Sequence, residues 1–250
     1  MTPFSLAGSS ALVTGSSKGI GLAIALGVHQ AGAEVVFHGN RARPADLPAS
    51  SACVMGDLMS AEGGPALVAA AFKEKSSLDL LVCNAGSAFD GPFFEMDLAR
   101  WEKTVNLNLR ATYFVVQAFA RELAARKRSG AVVIVSSTNG FQSEENSTAY
   151  DTSKGGLVMM TRSLAEALAP HRIRVNGIAP GLIRTPLTGW IDRDDARRRH
   201  YEKKILLRRV GEPDDCTGPA VFLLSKAAGY VTGQILVVDG GLTVGQIGRM

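Results

Sequence analysis

Two side chains with complementary chemistry, Tyr150 and Lys154, stand four residues apart inside a pattern that predicts a helix over 148–168. Residues four apart on a helix share one face and lie about one turn from each other. A free tyrosine has a pKa of about 10, and lowering it by about three units takes roughly 4 kcal/mol. A cation about 4 Å away at an effective dielectric of about 20 supplies a comparable energy. The pair is therefore predicted to act as a general acid/base in which Lys154 lowers the pKa of Tyr150.

Two further polar side chains are predicted to lie near this pair. Ser137 follows a predicted strand over 131–135, which puts its hydroxyl at the carboxyl edge of the sheet. There it could bond a substrate carbonyl and orient it for proton transfer, or it could simply cap a loop. Asn106 stands inside a long helical pattern, where asparagine is mildly unfavourable. A buried amide at Asn106 could hold a water linked to Lys154, or it could be a hydrogen-bonded core group.

A glycine-rich turn with the spacing G-x-x-x-G-x-G, over 15–21, joins the first predicted strand to the first predicted helix. Glycines there allow backbone amides to approach a pyrophosphate at the helix N-terminus, where the helix dipole favours negative charge. The spacing differs from the common dinucleotide motif, and an ordinary tight turn is the alternative. The residues of this turn predicted to contact a dinucleotide are Gly15, Ser17, Lys18, Gly19, Ile20 and Gly21.

The residues after the second predicted strand indicate which dinucleotide is bound. An acidic residue there would hold the adenosine ribose and favour NAD. The sequence instead reads His38-Gly39-Asn40-Arg41, with no carboxylate, and Lys18 lies in the glycine turn. The cations suit a 2′-phosphate, although Arg41 and Lys18 could also be solvated surface charges. We predict NADP(H) as the favoured cofactor, with NAD(H) as the alternative.

Short apolar runs alternate with helical patterns along the chain. Strands are predicted at 11–13, 34–37, 53–55, 78–83, 131–135, 174–178 and 235–238, and helices at 20–30, 98–126, 148–168 and 213–224. This alternation predicts an α/β fold, a single Rossmann-type doubly wound parallel sheet with helices on both faces. Residues 1–250 are predicted to form one dinucleotide-binding and catalytic domain, with a substrate lid at about 186–209 because ligands bind at the carboxyl ends of parallel strands.

Composition excludes several classes of protein. The net charge is +4, and the segment 192–209 carries the whole excess with eight Lys/Arg against four Asp/Glu. A local basic segment is unlike a nucleic-acid-binding face, so no nucleic-acid partner is expected. We expect no metal cluster, because the three cysteines are widely spaced, and no membrane span or secretory signal. The predicted localisation is the cytoplasm.

Taken in order and spacing, these motifs resemble those of the short-chain dehydrogenase/reductase family over essentially the full chain. The matching pieces include Thr14 with the glycine turn, Asn84-Ala85-Gly86, Asn106, and Ser137 thirteen residues before Tyr150. Asp57 after the third strand, Pro180-Gly181 with Thr185, and the ending Val238-Asp239-Gly240-Gly241 also match. The family's helix after the second strand is shortened here.

The resemblance implies a role for each matched position. Tyr150 would exchange the proton, Lys154 would lower its pKa and bind the nicotinamide ribose, Ser137 would position the reacting oxygen, and Asn106 would support a proton relay. The further positions that the resemblance assigns to cofactor binding are Asp57, Leu58, Asn84, Ala85, Gly86, Pro180, Gly181, Ile183 and Thr185, beside Asn40 and Arg41 at the second strand.

Hydride transfer between a secondary alcohol and a ketone is the reaction that the resemblance implies, paired with proton transfer at Tyr150. Ser137, Asn139, Gln142 and Tyr150 are the predicted substrate contacts; a sugar or polyol and a 3-oxoacyl compound both remain open as substrates. An epimerase or dehydratase on the same scaffold, and a non-catalytic cofactor-sensing protein, are the alternatives. Family members commonly form tetramers, so a homo-oligomer, tetramer or dimer, is expected.

Overall fold

A single seven-stranded sheet organises the chain in the computed structural model, which describes residues 2–41, 43, 47–48 and 51–245. All of the pairings between neighbouring strands are parallel, in the order β3-β2-β1-β4-β5-β6-β7. The predicted doubly wound parallel sheet is thereby confirmed. The strands are β1 (Ser10–Val13), β2 (Glu34–Gly39), β3 (Ala52–Met55), β4 (Leu80–Cys83), β5 (Gly130–Val135), β6 (Ile173–Pro180) and β7 (Ile235–Val238).

Helices cover both faces of the sheet because successive strand residues point to opposite sides. In β1, Leu12 packs into one buried cluster, while Ala11 and Val13 pack into the other. The first cluster receives side chains from α2, α4 and α5, and the second from α1 and α7. The helices are α1 (Gly19–Gln30), α2 (Gly63–Glu74), α3 (Leu98–Val105), α4 (Ala111–Ala125), α5 (Thr148–Leu168), α6 (Asp195–Lys204) and α7 (Thr217–Leu224).

Helix α2 is absent from the elements predicted above. Its buried residues Leu67, Val68, Ala71 and Phe72 follow a helical spacing, so the stripe was present in the sequence. The segment predicted as a lid contains a 3₁₀ turn, Pro186–Asp192, followed by α6, which has no fully buried residue.

The pattern over 98–126 predicts one continuous helix, and the structure interrupts it. A π-helical segment, Asn106–Arg110, separates α3 from α4, and the Ala111 amide donates to the Asn106 carbonyl five residues back. A π turn accommodates one extra residue, so it rotates the positions that follow it relative to those that precede it. Of the two asparagines in this segment, Asn108 is buried.

No helix in the described ranges combines the length and apolar character that a bilayer span requires. All three cysteines are free, and Cys83 and Cys216 are buried. Among the described residues, no three histidine, cysteine or carboxylate side chains are grouped to hold a metal ion.

The buried cluster beneath α4 contains a side chain whose replacement should strongly destabilise the fold. Phe119 is fully buried and packs against Phe72 with ring centroids 5.8 Å apart. We expect Phe119→Ala to lower the free energy of unfolding by about 3–5 kcal/mol, because it removes transfer energy and leaves a cavity. Urea denaturation measures this change. Tyr230→Ala is the control: its ring is fully exposed, so the expected change is below about 0.5 kcal/mol. Equal losses in both variants would contradict the packing argument.

Candidate active site

The glycine-rich turn is held at the carboxyl edge of the sheet by the segment that follows β4. The Thr14 hydroxyl accepts from the backbone amides of Asn84 (3.0 Å) and Ala85 (3.1 Å). The Asn84 side-chain amide donates back to the carbonyls of Thr14 and Gly15, both at 3.1 Å. The structure therefore brings together two segments that the sequence assigns to the cofactor, and Asn84 acts by holding the turn.

Close approach explains two of the glycines in this turn. A methyl group at Gly21 would lie 2.2 Å from the Asn84 Nδ2 atom and 2.4 Å from the Gly15 carbonyl oxygen. Gly15 has φ +64° and a hypothetical methyl group 2.9 Å from the Ala85 backbone. A side chain at Gly21 would push α1 away from the turn, and one at Gly15 would push the turn away from the segment after β4.

The start of α1 offers the groups that a pyrophosphate needs. Lys18 precedes the helix without a side-chain cap, and the first turn contains no acidic residue. The amides of that turn are thus free of a capping carboxylate, and the helix dipole favours an anion beside them. A methyl group at Gly19 would lie 3.6 Å from the Thr185 side chain. The residues present fit a dinucleotide phosphate, and Thr185 closes the turn from its other side.

His38 supports the same turn, and the sequence analysis assigns it no role. Its Nδ1 accepts from the Gly15 amide at 3.0 Å, so its Nε2 carries the proton that is donated to the Gly56 carbonyl, also at 3.0 Å. Burial lowers the pKa of His38, which keeps the ring neutral and able to accept from Gly15. Its position in an apolar strand gave no indication of this pairing.

The residues predicted to recognise the adenosine half meet at the ends of β2 and β3. The Asn40 side chain lies 3.5 Å from the Asp57 carboxylate, which also accepts from the Met59 amide at 2.9 Å. Asn40 and Arg41 are exposed. Leu58 belongs to the buried core, so its backbone rather than its side chain would face a cofactor.

The segment after β6 returns to the same edge. Pro180 ends β6, and a methyl group at Gly181 would lie 2.6 Å from Asp239. Ile183 is buried and forms an isolated parallel bridge with Gly211. This anchor directs the chain from the sheet towards Thr185 and the predicted lid.

Tyr150 and Lys154, the predicted catalytic pair, lie on the face of α5 that packs against β5. Lys154 is buried, and its Nζ donates to the Val135 carbonyl at 3.1 Å and lies 5.4 Å from the Tyr150 ring centroid. The Ser136 hydroxyl donates to the Lys154 carbonyl at 2.9 Å, which ties the helix to the strand end. Tyr150, which is half-buried, and the buried Ser137 are in contact through a side-chain hydrogen bond.

The pKa of Tyr150 corrects the electrostatic expectation drawn from the sequence. The pKa of Tyr150 is raised to about 12: burial is the largest cause, the hydrogen bond with Ser137 opposes it, and the charges of Glu144, Asp151 and Asp90 add to it. Burial also lowers the pKa of Lys154 to about 8. In the chain alone, the cost of burying a phenolate exceeds the attraction of the ammonium, which lies over the ring and donates to a carbonyl. The phenol is therefore protonated near neutral pH.

Asn106 does not reach this cluster, and Asn108 does. Asn108 is buried, and its side chain accepts from the Ser87 amide at 2.9 Å and donates to the Ser87 carbonyl at 3.0 Å and the Ser153 hydroxyl at 2.9 Å. A methyl group at Gly86 would lie 2.9 Å from its Oδ1 and 3.7 Å from Lys154 Nζ. No hydrogen bond of the Asn106 side chain is found within the described part of the chain. Both asparagines lie in the same π segment, and Asn108 is the one that is buried.

The loop between Ser137 and Tyr150 is held by its own side chains. Asn139 donates to Asp151 at 2.7 Å and to Glu144 at 3.4 Å, and its carbonyl oxygen accepts from Ser137 at 3.3 Å. The Asn139 amide is thus committed to the loop, and its predicted contact with substrate stays a prediction. Gln142 is exposed, and its side chain is free of hydrogen bonds to the residues that the structure describes.

The segment predicted as a lid contacts this loop. The Tyr201 hydroxyl donates to Glu144 at 2.9 Å, and Arg197 lies 3.9 Å from the same carboxylate and 4.0 Å over the Trp190 ring. Much of the basic segment is paired within the chain: Arg198 with Asp195 and Glu202, and Arg209 with Asp215.

Known proteins with this sequence pattern and fold place the chain in a family. A family model described as enoyl-(acyl carrier protein) reductase matches residues 15–243. L-Rhamnose 1-dehydrogenase (NAD(P)(+)) of Azotobacter vinelandii is 40% identical over 245 residues, covering 93% of this chain and 96% of that protein. The 5-keto-D-gluconate 5-reductase of Escherichia coli is 36% identical over 257 residues, covering 96% and 98%.

Among solved structures, a gluconate 5-dehydrogenase from Burkholderia cenocepacia in complex with NADP and tartrate has a TM-score of 0.90 at 31% identity. The match covers 97% of this chain and 98% of that one. With its parallel sheet, glycine-rich turn and Ser137–Tyr150–Lys154 cluster, the chain belongs to the short-chain dehydrogenase/reductase family.

Proposed function

We propose that this chain interconverts a ketone and the matching secondary alcohol of a sugar or polyol with NADP(H), and that Tyr150 transfers the proton. One observation carries the proposal: the half-buried Tyr150 lies with the buried Lys154 and Ser137 at the same sheet edge as a turn that fits a dinucleotide phosphate. As a member of its family the chain is an NAD(P)-dependent oxidoreductase, and the bound nicotinamide supplies or accepts the hydride.

The proton step follows from the ionisation of the cluster. Because the pKa of Tyr150 is raised to about 12, its hydroxyl is a proton donor near neutral pH, which suits reduction of a carbonyl. Ser137 contacts the same hydroxyl and would hold the carbonyl oxygen beside it. Lys154, with its pKa lowered to about 8, is still mainly an ammonium at pH 7 and stabilises the phenolate as the proton leaves. Oxidation requires the phenolate and therefore an additional positive charge at the site.

Asn108 takes the role that the sequence analysis gave to Asn106. Its amide connects the Ser87 backbone to Ser153, and the Ser153 hydroxyl donates to the Tyr150 carbonyl at 2.7 Å. It therefore links the segment after β4 to the helix that carries Tyr150. We propose that Asn108 holds this geometry and supports the exchange of protons with Lys154.

The residues proposed to hold the cofactor line one edge of the sheet. Amides of the turn over 15–21 would bind the pyrophosphate, with Asn84 holding that turn. Asn40 and Arg41 would meet the adenosine 2′-phosphate, the backbone at Asp57 and Leu58 the adenine, and Ile183 and Thr185 the carboxamide side. Lys154 would bind the nicotinamide ribose.

The charges around Tyr150 favour a neutral, hydroxyl-rich substrate. Glu144, Asp151 and Asp90 all act on the Tyr150 hydroxyl with negative charge. Carboxylates accept hydrogen bonds from sugar hydroxyls, whereas they repel a substrate carboxylate or phosphate. The cationic lid offers less compensation than its composition suggests, because Arg197 and Arg198 are paired with acidic side chains. Gln142 and Ser137 are the proposed polar contacts.

Localisation and assembly are proposed on separate grounds. Three free cysteines, two of them buried, suit a reducing compartment such as the cytoplasm. Exposed apolar side chains on α4 and α5, among them Tyr113, Phe114 and Met159, favour pairing of these helices with another copy of the chain.

Replacement of Tyr150 tests the proposed reaction. Tyr150→Phe removes only the hydroxyl, so we expect turnover to fall at least about 10²-fold while NADPH still binds. The assay follows the absorbance of reduced nicotinamide with the neutral sugar L-rhamnose, the carboxylate D-gluconate and acetoacetyl-CoA as probes, in both directions where the partner compound exists. The charges around Tyr150 lead us to expect faster turnover of L-rhamnose than of D-gluconate. NADPH binding is measured by fluorescence titration.

The control is Tyr230→Phe, which makes the same change on a fully exposed ring and should leave turnover unaltered. Turnover of acetoacetyl-CoA alone would show that the substrate is a 3-oxoacyl compound and not a sugar or polyol. Product formed without net oxidation or reduction of the cofactor would show that the reaction is an epimerisation or a dehydration. Unchanged turnover in Tyr150→Phe would remove Tyr150 from the mechanism.

A pair of variants tests which asparagine of the π segment supports the active site. Asn108→Ala deletes the contacts with Ser87 and Ser153, and we expect kcat to fall about ten- to a hundredfold through misplacement of the catalytic groups. Asn106→Ala, two residues away, deletes a side chain that makes none of these contacts, and its kcat should stay within about twofold. Steady-state kinetics with the best probe decide between them. The reverse ranking would restore the role first predicted for Asn106.

Cofactor preference is tested at Arg41. Arg41→Ala should raise the Kd of NADPH about tenfold or more, because one charge-assisted contact is worth about 1.5–3 kcal/mol, and leave the Kd of NADH nearly constant. Isothermal titration with each dinucleotide measures the difference. Lys226→Ala removes the same charge from an exposed site beyond the opposite edge of the sheet and serves as the control. A parallel loss for NADH would mean that Arg41 does not read the 2′-phosphate.

A further inference from the structure

The helix that carries Tyr150 begins without a cap of its own. Ser147 occupies the N-cap position of α5, and its side chain makes no capping hydrogen bond. The first amides of a helix have no partner inside the helix and must be satisfied from elsewhere. Tyr150 lies in this first turn, so whatever binds those amides also holds the phenol.

Asp90 binds them from a distant part of the chain. Its Oδ1 accepts from the Ala149 amide at 2.8 Å and the Tyr150 amide at 3.1 Å, across 59 and 60 residues of sequence. Asp90 stands three residues after Ser87, whose backbone is held by Asn108 on both its amide and its carbonyl. The carboxylate is therefore positioned by the segment that follows β4 rather than by α5.

The second oxygen of the same carboxylate is not neutralised. Asp90 Oδ2 is buried and has no hydrogen-bond partner in the described structure. Within the described ranges, Asp90 also forms no ion pair. In the described part of the chain, the partners of this carboxylate are the two amides at the start of α5, where the helix dipole favours negative charge, and its field reaches the neighbouring phenol.

We propose that Asp90 is a positioning residue for the reaction: its carboxylate fixes the first turn of α5, and its negative charge adds to the burial that keeps the Tyr150 hydroxyl protonated. The proposal rests on the proposed function, in which that hydroxyl is the proton donor. One side chain would thus act on both the place and the charge state of the acid.

Three acidic groups and one basic group face Tyr150, and they act in opposite directions. Glu144, Asp151 and Asp90 raise the pKa of Tyr150 by their charge, whereas the ammonium of Lys154, 5.4 Å from the ring centroid, favours the phenolate. Removing one negative charge therefore lowers the pKa of Tyr150. A phenol that donates a proton loses activity as pH rises through its pKa, so this loss moves to lower pH.

Asp90→Asn separates charge from geometry, because its amide oxygen can still accept from Ala149 and Tyr150. The first measurement uses the chain labelled with ¹³C at the tyrosine ring and saturated with NADP⁺, with the Tyr150 signal assigned by Tyr150→Phe. We expect the pKa of Tyr150 to fall by about half a unit or more relative to the unsubstituted chain. The alkaline limb of ketone reduction should move to lower pH by the same amount. An unmoved signal would overturn the role of the charge.

Asp90→Ala removes charge and acceptor together, and it tests the positioning role. Its matched control is Asp97→Ala, because Asp97 caps α3 by accepting from the Arg100 amide at 2.8 Å. Both variants lose one helix cap, so thermal melting should register a similar loss. Only Asp90→Ala should lower kcat by about tenfold or more at the pH of maximum activity, with a smaller effect on the Kd of NADPH. Equal kcat in the two variants would reduce Asp90 to an ordinary cap.

The outcomes separate this proposal from the proposed function. Active Tyr150→Phe removes the proposed function and this inference with it. Inactive Tyr150→Phe with an unshifted Tyr150 signal in Asp90→Asn overturns the inference alone. If Asp90→Asn fails to fold by circular dichroism, Asp90→Gln makes the same test, since its side-chain amide also offers an uncharged oxygen acceptor.

Discussion

The buried ammonium of Lys154 is the constraint on which the rest of the site depends. A buried cation is costly unless it is compensated, and the hydrogen bond from Nζ to the Val135 carbonyl supplies part of that compensation at 3.1 Å. The contact requires α5 to lie close to the end of β5. A methyl group at Gly140 would lie 2.8 Å from the Lys154 carbonyl, so the loop after β5 approaches the helix backbone closely. The same approach brings Ser137 and Tyr150 together.

The electrostatics of the site follow from that burial. A phenol packed into the protein loses the solvation that a phenolate would need, and three carboxylates add to this effect. The ammonium is weakened by the same burial, since its own pKa falls to about 8. The chain alone therefore stabilises the neutral acid, and its residues make protonation of a carbonyl the easier direction. If the lysine side chain were in water, it would stay an ammonium, but its hydrogen bond to the Val135 carbonyl would be lost.

Periodic features of the sequence predicted the framework well. The bounds of α5 and β7 match the predicted ones, and the other predicted strands agree within about two residues at each end, because buried parallel strands and amphipathic helices follow simple spacing rules. The turn over 15–21 was also identifiable, since glycine is the residue that allows the approach seen at Gly21. Helix α2 was missed although its apolar stripe was present.

Single side chains that act across the fold were beyond such rules. The apolar pattern around the π segment Asn106–Arg110 did not show which of its two asparagines is buried, and the structure buries Asn108. His38 and Asp90 bond to amides 23 and about 60 residues away, and neither spacing corresponds to a motif. The pKa expected for Tyr150 was too low for a related reason: the sequence shows the neighbouring Lys154 but does not show the burial of the phenol.

Glu144 links the segment predicted as a lid to the proposed proton donor. Its carboxylate accepts from Tyr201 on α6 and from Asn139 in the loop before α5, and its charge raises the pKa of Tyr150. A hydrogen bond to a carboxylate disperses its charge, so a lid contact that forms or breaks at Glu144 changes the field at the phenol. The segment predicted as a lid and the proposed acid therefore share one residue, Glu144. A hydroxyl-rich substrate that competes with Tyr201 for this carboxylate would act on both at once.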